Sequence, residues 1–312
     1  NHATYLTVLN PSGSSMDVAV NYYAAAGGAP TIVHHSVPAN SRGTILVKSD
    51  VSAGSYSALV TLSTNGLVER PMYLTDATTG YTGSADVIGV QQPTTSWSFA
   101  EGYTSPTFSE RYILSNPTSS ATTAHATVTF LKGDGTTASA NVTLTPGQQQ
   151  VVSANSVLGS GVNNSATVTS DQPILAERFM SFRYTGPVGV NGSGNIPGAT
   201  DVLGASSVGT VYAFAEGYTG GSFAEYLTLE NPQNSTTQVT VVYLPQNGGA
   251  PTVQTYFVAP TSRYTILTNR VMSNQSFSML VLADQPIVAE RPMYFNYTGG
   301  QTGGSDVLGY QP

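Results

Sequence analysis

Glutamates at recurring positions, Glu101, Glu177, Glu216 and Glu290, are the side chains of this sequence best suited by type to do chemistry. Two carboxylates facing one glycosidic bond can act as acid and base, or as acid and nucleophile. Asp86, Asp201 and Asp306 form a second set, of the kind that holds a hard cation such as calcium through oxygen ligands. Pattern speaks against both. The glutamates sit in phrases that return once per repeat, as framework residues do, and no D-x-D-x-D run accompanies the aspartates. Each aspartate precedes Val-Ile-Gly or Val-Leu-Gly, a context suited to a side chain holding a turn, which is its expected role, with calcium as the alternative. His2, His34, His35 and His125 show no H-x-x-x-H spacing, and no G-x-S-x-G elbow is present. With no cysteine there is no disulfide and no thiolate metal site. The expectation is a chain without catalytic residues, cofactor or bound metal.

The elements that position these residues are repeated. "LNPSGSS", "SNPTSSA" and "ENPQNST" are one phrase, with the Asn-Pro steps at 10, 116 and 231. "LVERPMYL", "LAERFMSF" and "VAERPMYF" are a second, and "SADVIG", "ATDVLG" and "GSDVLG" a third. Three phrases in constant order, about 105–115 residues apart, define a tandem array of modules large enough to fold singly. We place the repeats at 1–95, 96–209 and 210–312, the second carrying an insertion near 185–199.

Within a repeat the pattern is β. In "TTQVTVVYLPQNGGAPTVQTYFV" two β-branched and aromatic runs flank Asn247-Gly248-Gly249, a hairpin signature. The other repeats carry Gly27-Gly28 and Gly133-Asp134-Gly135, each beginning 17 residues after its Asn-Pro asparagine, as Gly248 does. No segment sustains a helical apolar stripe between caps. The expected fold is all-β: three tandem antiparallel β-sandwiches of about seven strands, immunoglobulin-like without the cysteine and tryptophan signature. Short linkers, "VQQPTTS" and "ASSVGT", suggest a semi-rigid linear array of roughly 120 Å if each module spans about 40 Å.

Composition narrows the partners. Seventeen acids against ten bases give a net charge of −7, with no basic cluster to follow a phosphate backbone, so nucleic acid is excluded. No run of about 18 apolar residues predicts a membrane span. Eighteen tyrosines could stack on neutral sugars, which keeps a carbohydrate or cell-wall binding module as the rival reading.

Alternation puts Phe99, Glu101 and Tyr103 on one strand face, and Phe214, Glu216 and Tyr218 likewise; Arg178 and Arg291 share faces with Met and Phe. A partly buried pair in each repeat, Glu101 with Arg178 and Glu216 with Arg291, reconciles these placements. FAEGYT occurs twice, while the other phrases occur three times. The first repeat therefore lacks its FAEGYT strand, and Arg70 is expected to have no partner in its own chain. Either the sequence is a window on a longer array, or a neighbouring copy completes the open repeat by strand addition.

"FAEGYTGGSFAEYLTLENP" with "DQPIVAERPMYFNYTGGQTGGSDVLG" resembles the tandem FAEGYT repeats of large secreted and cell-surface bacterial proteins. The resemblance implies an extracellular, cell-surface location and a modular architecture, and offers no catalytic residue. The expected function is a non-enzymatic stalk, surface-layer or filament subunit. Its expected partners are copies of itself or adjacent repeats of the same polypeptide, with cell-wall glycan as the alternative.

Overall fold

The computed structural model describes residues 2–75, 82–117, 122–186, 194–297 and 300–312. The first repeat contains β1 (His2–Asn10), β2 (Met16–Ala24), β3 (Thr31–Val37), β4 (Ser41–Leu46), β5 (Tyr56–Leu62), β6 (Leu67–Thr75) and β7 (Thr82–Ile88). The second contains β8 (Thr94–Phe99), β9 (Tyr103–Thr104), β10 (Phe108–Ser115), β11 (Ala124–Lys132), β12 (Thr137–Leu144), β13 (Gln149–Ser153), β14 (Val162–Tyr184) and β15 (Ile196–Leu203). The third contains β16 (Gly209–Tyr218), β17 (Phe223–Asn231), β18 (Thr237–Pro245), β19 (Thr252–Val258), β20 (Ser262–Leu267), β21 (Ser276–Tyr297) and β22 (Gln301–Leu308). Short helical turns follow β4, β13 and β20. The protein is all-β, and its strand pairings are antiparallel.

Each repeat builds two sheets around one apolar core. In the second, β12-β11-β14-β8 faces β13-β10-β14-β15, and in the third β19-β18-β21-β16 faces β20-β17-β21-β22. A single strand, β14 or β21, serves both sheets: its first half lies in one and its second half in the other. The second core gathers Trp97, Phe99, Tyr112, Phe130 and Val168; the third gathers Tyr212, Phe214, Tyr243, Met279 and Val281. Burial alternates along β2, β11 and β18, as expected of strands with one face on a core.

The recurring phrases are structural fasteners. Asn10 and Asn231 make the same three bonds: their side-chain amides donate to Ser14, Val37 and Pro38, and to Ser235, Val258 and Ala259. Asp171 and Asp284 accept the backbone N–H of His125 and Gln238, and Ser63 does the same for Asp17. The expected hairpins form, with Gly27, Gly135 and Gly248 at φ between 74° and 84°, where glycine is favoured.

The first repeat departs in two ways. Its shared strand is broken into β5 and β6, where Ser63-Thr64-Asn65-Gly66 replaces the Asp-Gln-Pro of the others. Its second sheet, β3-β2-β5, has three strands, and no described strand lies along β5 where β8 and β16 line β14 and β21.

The repeats are not strung out on linkers. β15 packs against both β7 and β22, and β7 also touches β22, so the third repeat meets the first as well as the second. Small residues allow this approach: a Cβ at Gly83 would lie 2.5 Å from the Ala199 nitrogen, and one at Gly198 would lie 3.2 Å from the Gly304 nitrogen. Backbones of different repeats are thereby brought into contact.

Candidate functional site

Polar chemistry concentrates where repeats meet. At the junction of the second and third repeats, Arg178 is fully buried. It donates to the Glu290 carboxylate at 2.8 Å, to the Asp306 carboxylate, and to the main-chain oxygen of Glu101 at 2.5 Å. Arg263 enters from β20. It bonds the Glu101 carboxylate, the main-chain oxygens of Ala100 at 3.1 Å and Gly102 at 3.0 Å, and Asn163 Oδ1 at 3.0 Å. Thr167 donates across the junction to Glu230 at 2.8 Å. Beside these bonds Tyr294 inserts into an aromatic socket, stacked on Tyr184 at 4.1 Å and edge-on to Phe182 at 5.0 Å. The Tyr184 and Tyr226 hydroxyls meet at 2.8 Å.

The first junction repeats the ionic part. Arg70 donates to Glu177 at 2.9 Å and to Asp201 at 2.5 Å, both in the second repeat. Arginine from one repeat therefore lies between the glutamate and aspartate of the next, twice in succession and in the same direction. Leu74 packs on Phe179 and Ala199 where the second junction has its socket.

Burial shapes the electrostatics. Asp201 is pushed up to about 7 by desolvation and by the charge of Glu177, against the pull of Arg70. Asp306 is raised well above the carboxylate range by desolvation and by Glu290. Glu110 reaches about 7 through burial, although Asn164 and Tyr112 both donate to it. Glu225 also reaches about 7 through burial, opposed by Arg291. Glu230 rises through burial, opposed by the Thr167 hydroxyl. Such groups hold protons to higher pH in the folded chain than they do when exposed. Among the described residues no group of three or more His, Asp or Glu could hold a metal, and no helix is long and apolar enough to cross a membrane.

No family model matches the chain. Nor does any curated protein match it. Among solved structures it is similar to Thermotoga maritima 1070, with 14% identity over 34% of this chain and 96% of that one, at a TM-score of 0.31. It is also similar to the Anabaena sensory rhodopsin transducer, with 20% identity over 29% of this chain and 99% of that one, at a TM-score of 0.25. Scores this low carry no argument.

The structure rearranges the expected pairs. Glu101 and Arg178 do not form a carboxylate–guanidinium pair. Glu101 lies in the loop between β8 and β9, not on a strand, and Arg178 lies on β14; each reaches instead into the third repeat: Glu101 to Arg263, Arg178 to Glu290 and Asp306. Glu216 and Arg291 do meet, at 3.3 Å, but the Glu216 side chain is 73% exposed. Arg70, expected to lack a partner, has two. Asp86, Asp201 and Asp306 hold no turns: they lie within β7, β15 and β22, opposite Pro71, Phe179 and Pro292. Asp201 and Asp306 accept the arginine of the preceding repeat, while Asp86 is exposed. The insertion near 185–199 falls partly on 187–193, outside the described residues; Ile196, at its end, joins the aromatic cluster. Arg263, Glu110, Glu225 and Glu230 were missed. Arg263 had a signal, because Arg42 and Arg263 both stand 32 residues after the Asn-Pro asparagine, as 42 − 10 and 263 − 231.

Proposed function

We propose that the chain is a non-enzymatic, extracellular structural protein of the cell surface: three immunoglobulin-like β-sandwiches forming a stalk, surface-layer or filament subunit. The observation that carries this is the repeated junction, in which an arginine of one sandwich, partly buried at the first junction and fully buried at the second, joins the glutamate and aspartate of the next. Such pairs specify registry more than they add stability. Here they lock consecutive sandwiches into one relative orientation, which suits a load-bearing array. The phrases that looked catalytic are spent on these junctions. The three-stranded sheet of the first repeat adds a further support, since β5 offers an edge to which a foreign strand can add.

Small-angle scattering of the dilute chain, with glycan arrays, tests this reading. A scattering curve fitting one packed body, and no glycan bound, is the expected result. Repeats that scatter as independent beads, or saturable binding of a cell-wall glycan that is lost on replacing exposed tyrosines, would overturn it in favour of a binding module.

A further inference from the structure

The third and first repeats carry counterparts of the two halves of the junction between the second and third repeats. In the third repeat, Arg291 is the counterpart of Arg178; within its own chain it meets Glu216 at 3.3 Å and Glu225 at 3.5 Å. Phe223, Phe295 and Tyr297 stand where Phe108, Phe182 and Tyr184 form the socket. That socket is already built: Phe223 stacks on Phe295 at 5.4 Å and 23°, and Phe108 on Phe182 at 5.4 Å and 22°. Tyr297, at its rim, is 55% exposed. Glu216, counterpart of Glu101, borders an open cleft of about 500 Å³ with Tyr218, Gln246 and Phe277.

The first repeat carries the complementary set. Glu69 and Asp86 are the counterparts of Glu290 and Asp306, and neither has a partner among the described residues. Arg42, counterpart of Arg263, is exposed and also without a partner. Tyr73 stands where Tyr294 fills the socket, and it is 54% exposed. One position varies in concert. By strand register, Thr167 and Glu230, which bond across the inner junction, correspond to Leu280 in the third repeat and Leu9 in the first, so an apolar pair replaces a polar one.

We propose that a second copy of this chain docks head to tail. Arg291 of one copy lies between Glu69 and Asp86 of the next, Arg42 of the next reaches Glu216, and Tyr73 of the next enters the Phe223, Phe295 and Tyr297 socket. The contact is heterologous, so it repeats from copy to copy, as a ring where its rotation closes and as a filament where it does not. It rests on the reading of the chain as a structural subunit, and it names the partner of that subunit's first and third repeats. Continuity with the inner junction and matching charge select the second copy as occupant.

The test is a charge swap at Arg42, exposed in the single copy, and Glu216, 73% exposed and bonded to Arg291 at 3.3 Å; the melting curve of each dilute variant checks that the fold is kept. Sedimentation velocity across a concentration series of the whole chain should show mass growing with concentration. Arg42→Glu and Glu216→Arg should each weaken the association by about tenfold to a hundredfold, and the double variant should restore it. Tyr73→Ala should weaken it without changing the melting curve of the dilute protein. A wild-type chain that sediments as a monomer throughout would overturn the proposal. Association indifferent to both swaps would also overturn it, and would leave the structural reading standing with another surface, such as the β5 edge, as its route.

Discussion

Replacing Arg263 and Arg42 by methionine compares one sequence position in two surroundings. Both arginines follow their Asn-Pro phrase by the same distance and occupy matching places in β20 and β4. Arg263 has four acceptors, and its side chain is 2% exposed. Without it the Glu101 carboxylate and two main-chain oxygens lose their donor inside the junction. Breaking a buried pair from one side costs about 3–5 kcal/mol. For a unit of 150–250 residues each kcal/mol moves Tm by about 2–4 °C, so Arg263→Met should melt on the order of 10 °C below the wild type. Arg42→Met, in dilute protein, removes an exposed side chain with no partner and should stay within about 0.5 kcal/mol. Differential scanning calorimetry reads both. An Arg263→Met chain with unchanged Tm, or an Arg42→Met chain destabilised as much, would refute the claim that the neighbouring repeat, and not the position itself, makes the arginine matter.

Acidity gives a second expectation. Glu110, Asp201 and Glu225 titrate near 7 when folded, well above their ordinary range near 4, so the folded chain keeps protons that the unfolded chain has released. This stabilisation is complete below about pH 4 and is lost as pH rises through about 7; the urea midpoint should be higher at pH 5 than at pH 8, and the reverse order would contradict it. Tyr294→Ala empties the socket between Tyr184 and Phe182 and should cost about 3–5 kcal/mol, read by urea titration, whereas Tyr73→Ala in dilute protein should cost almost nothing. Gly83→Ala places a methyl group 2.5 Å from the Ala199 backbone nitrogen and should loosen the first junction by about 1–3 kcal/mol, seen as faster amide exchange along β7 and β15.

Much of the fold was legible because its fasteners are local. The Asn-Pro asparagines, the glycine turns and the alternation of β2, β11 and β18 each act within one repeat, so each leaves a pattern of types at fixed spacing. The junctions were not legible, although their residues were picked out. Alternation told that Glu101 and Arg178 face somewhere other than open solvent, but a period of two says nothing about which sheet, or which repeat, they face. The nearest partner by phrase was in the same repeat, and the real one was a repeat away. The aspartates misled for a related reason: short polar side chains near glycine read as turns, and only the pairing of β15 with β14 and β22 with β21 places them mid-strand. Glu110 and Glu225 gave a partial signal: both stand six residues before their Asn-Pro asparagine, but the first repeat has Thr4 at that place.

The 23-residue strand β14 and the 22-residue strand β21 have a mechanical meaning. A pull along such a strand loads the ladders of both its sheets at once and in shear, so neither sheet can peel away rung by rung before the other. In the first repeat, where β5 and β6 are separate, each sheet takes the strain alone, and one of them has an open edge. In the proposed load-bearing role, force spectroscopy should find the first repeat yielding before the other two.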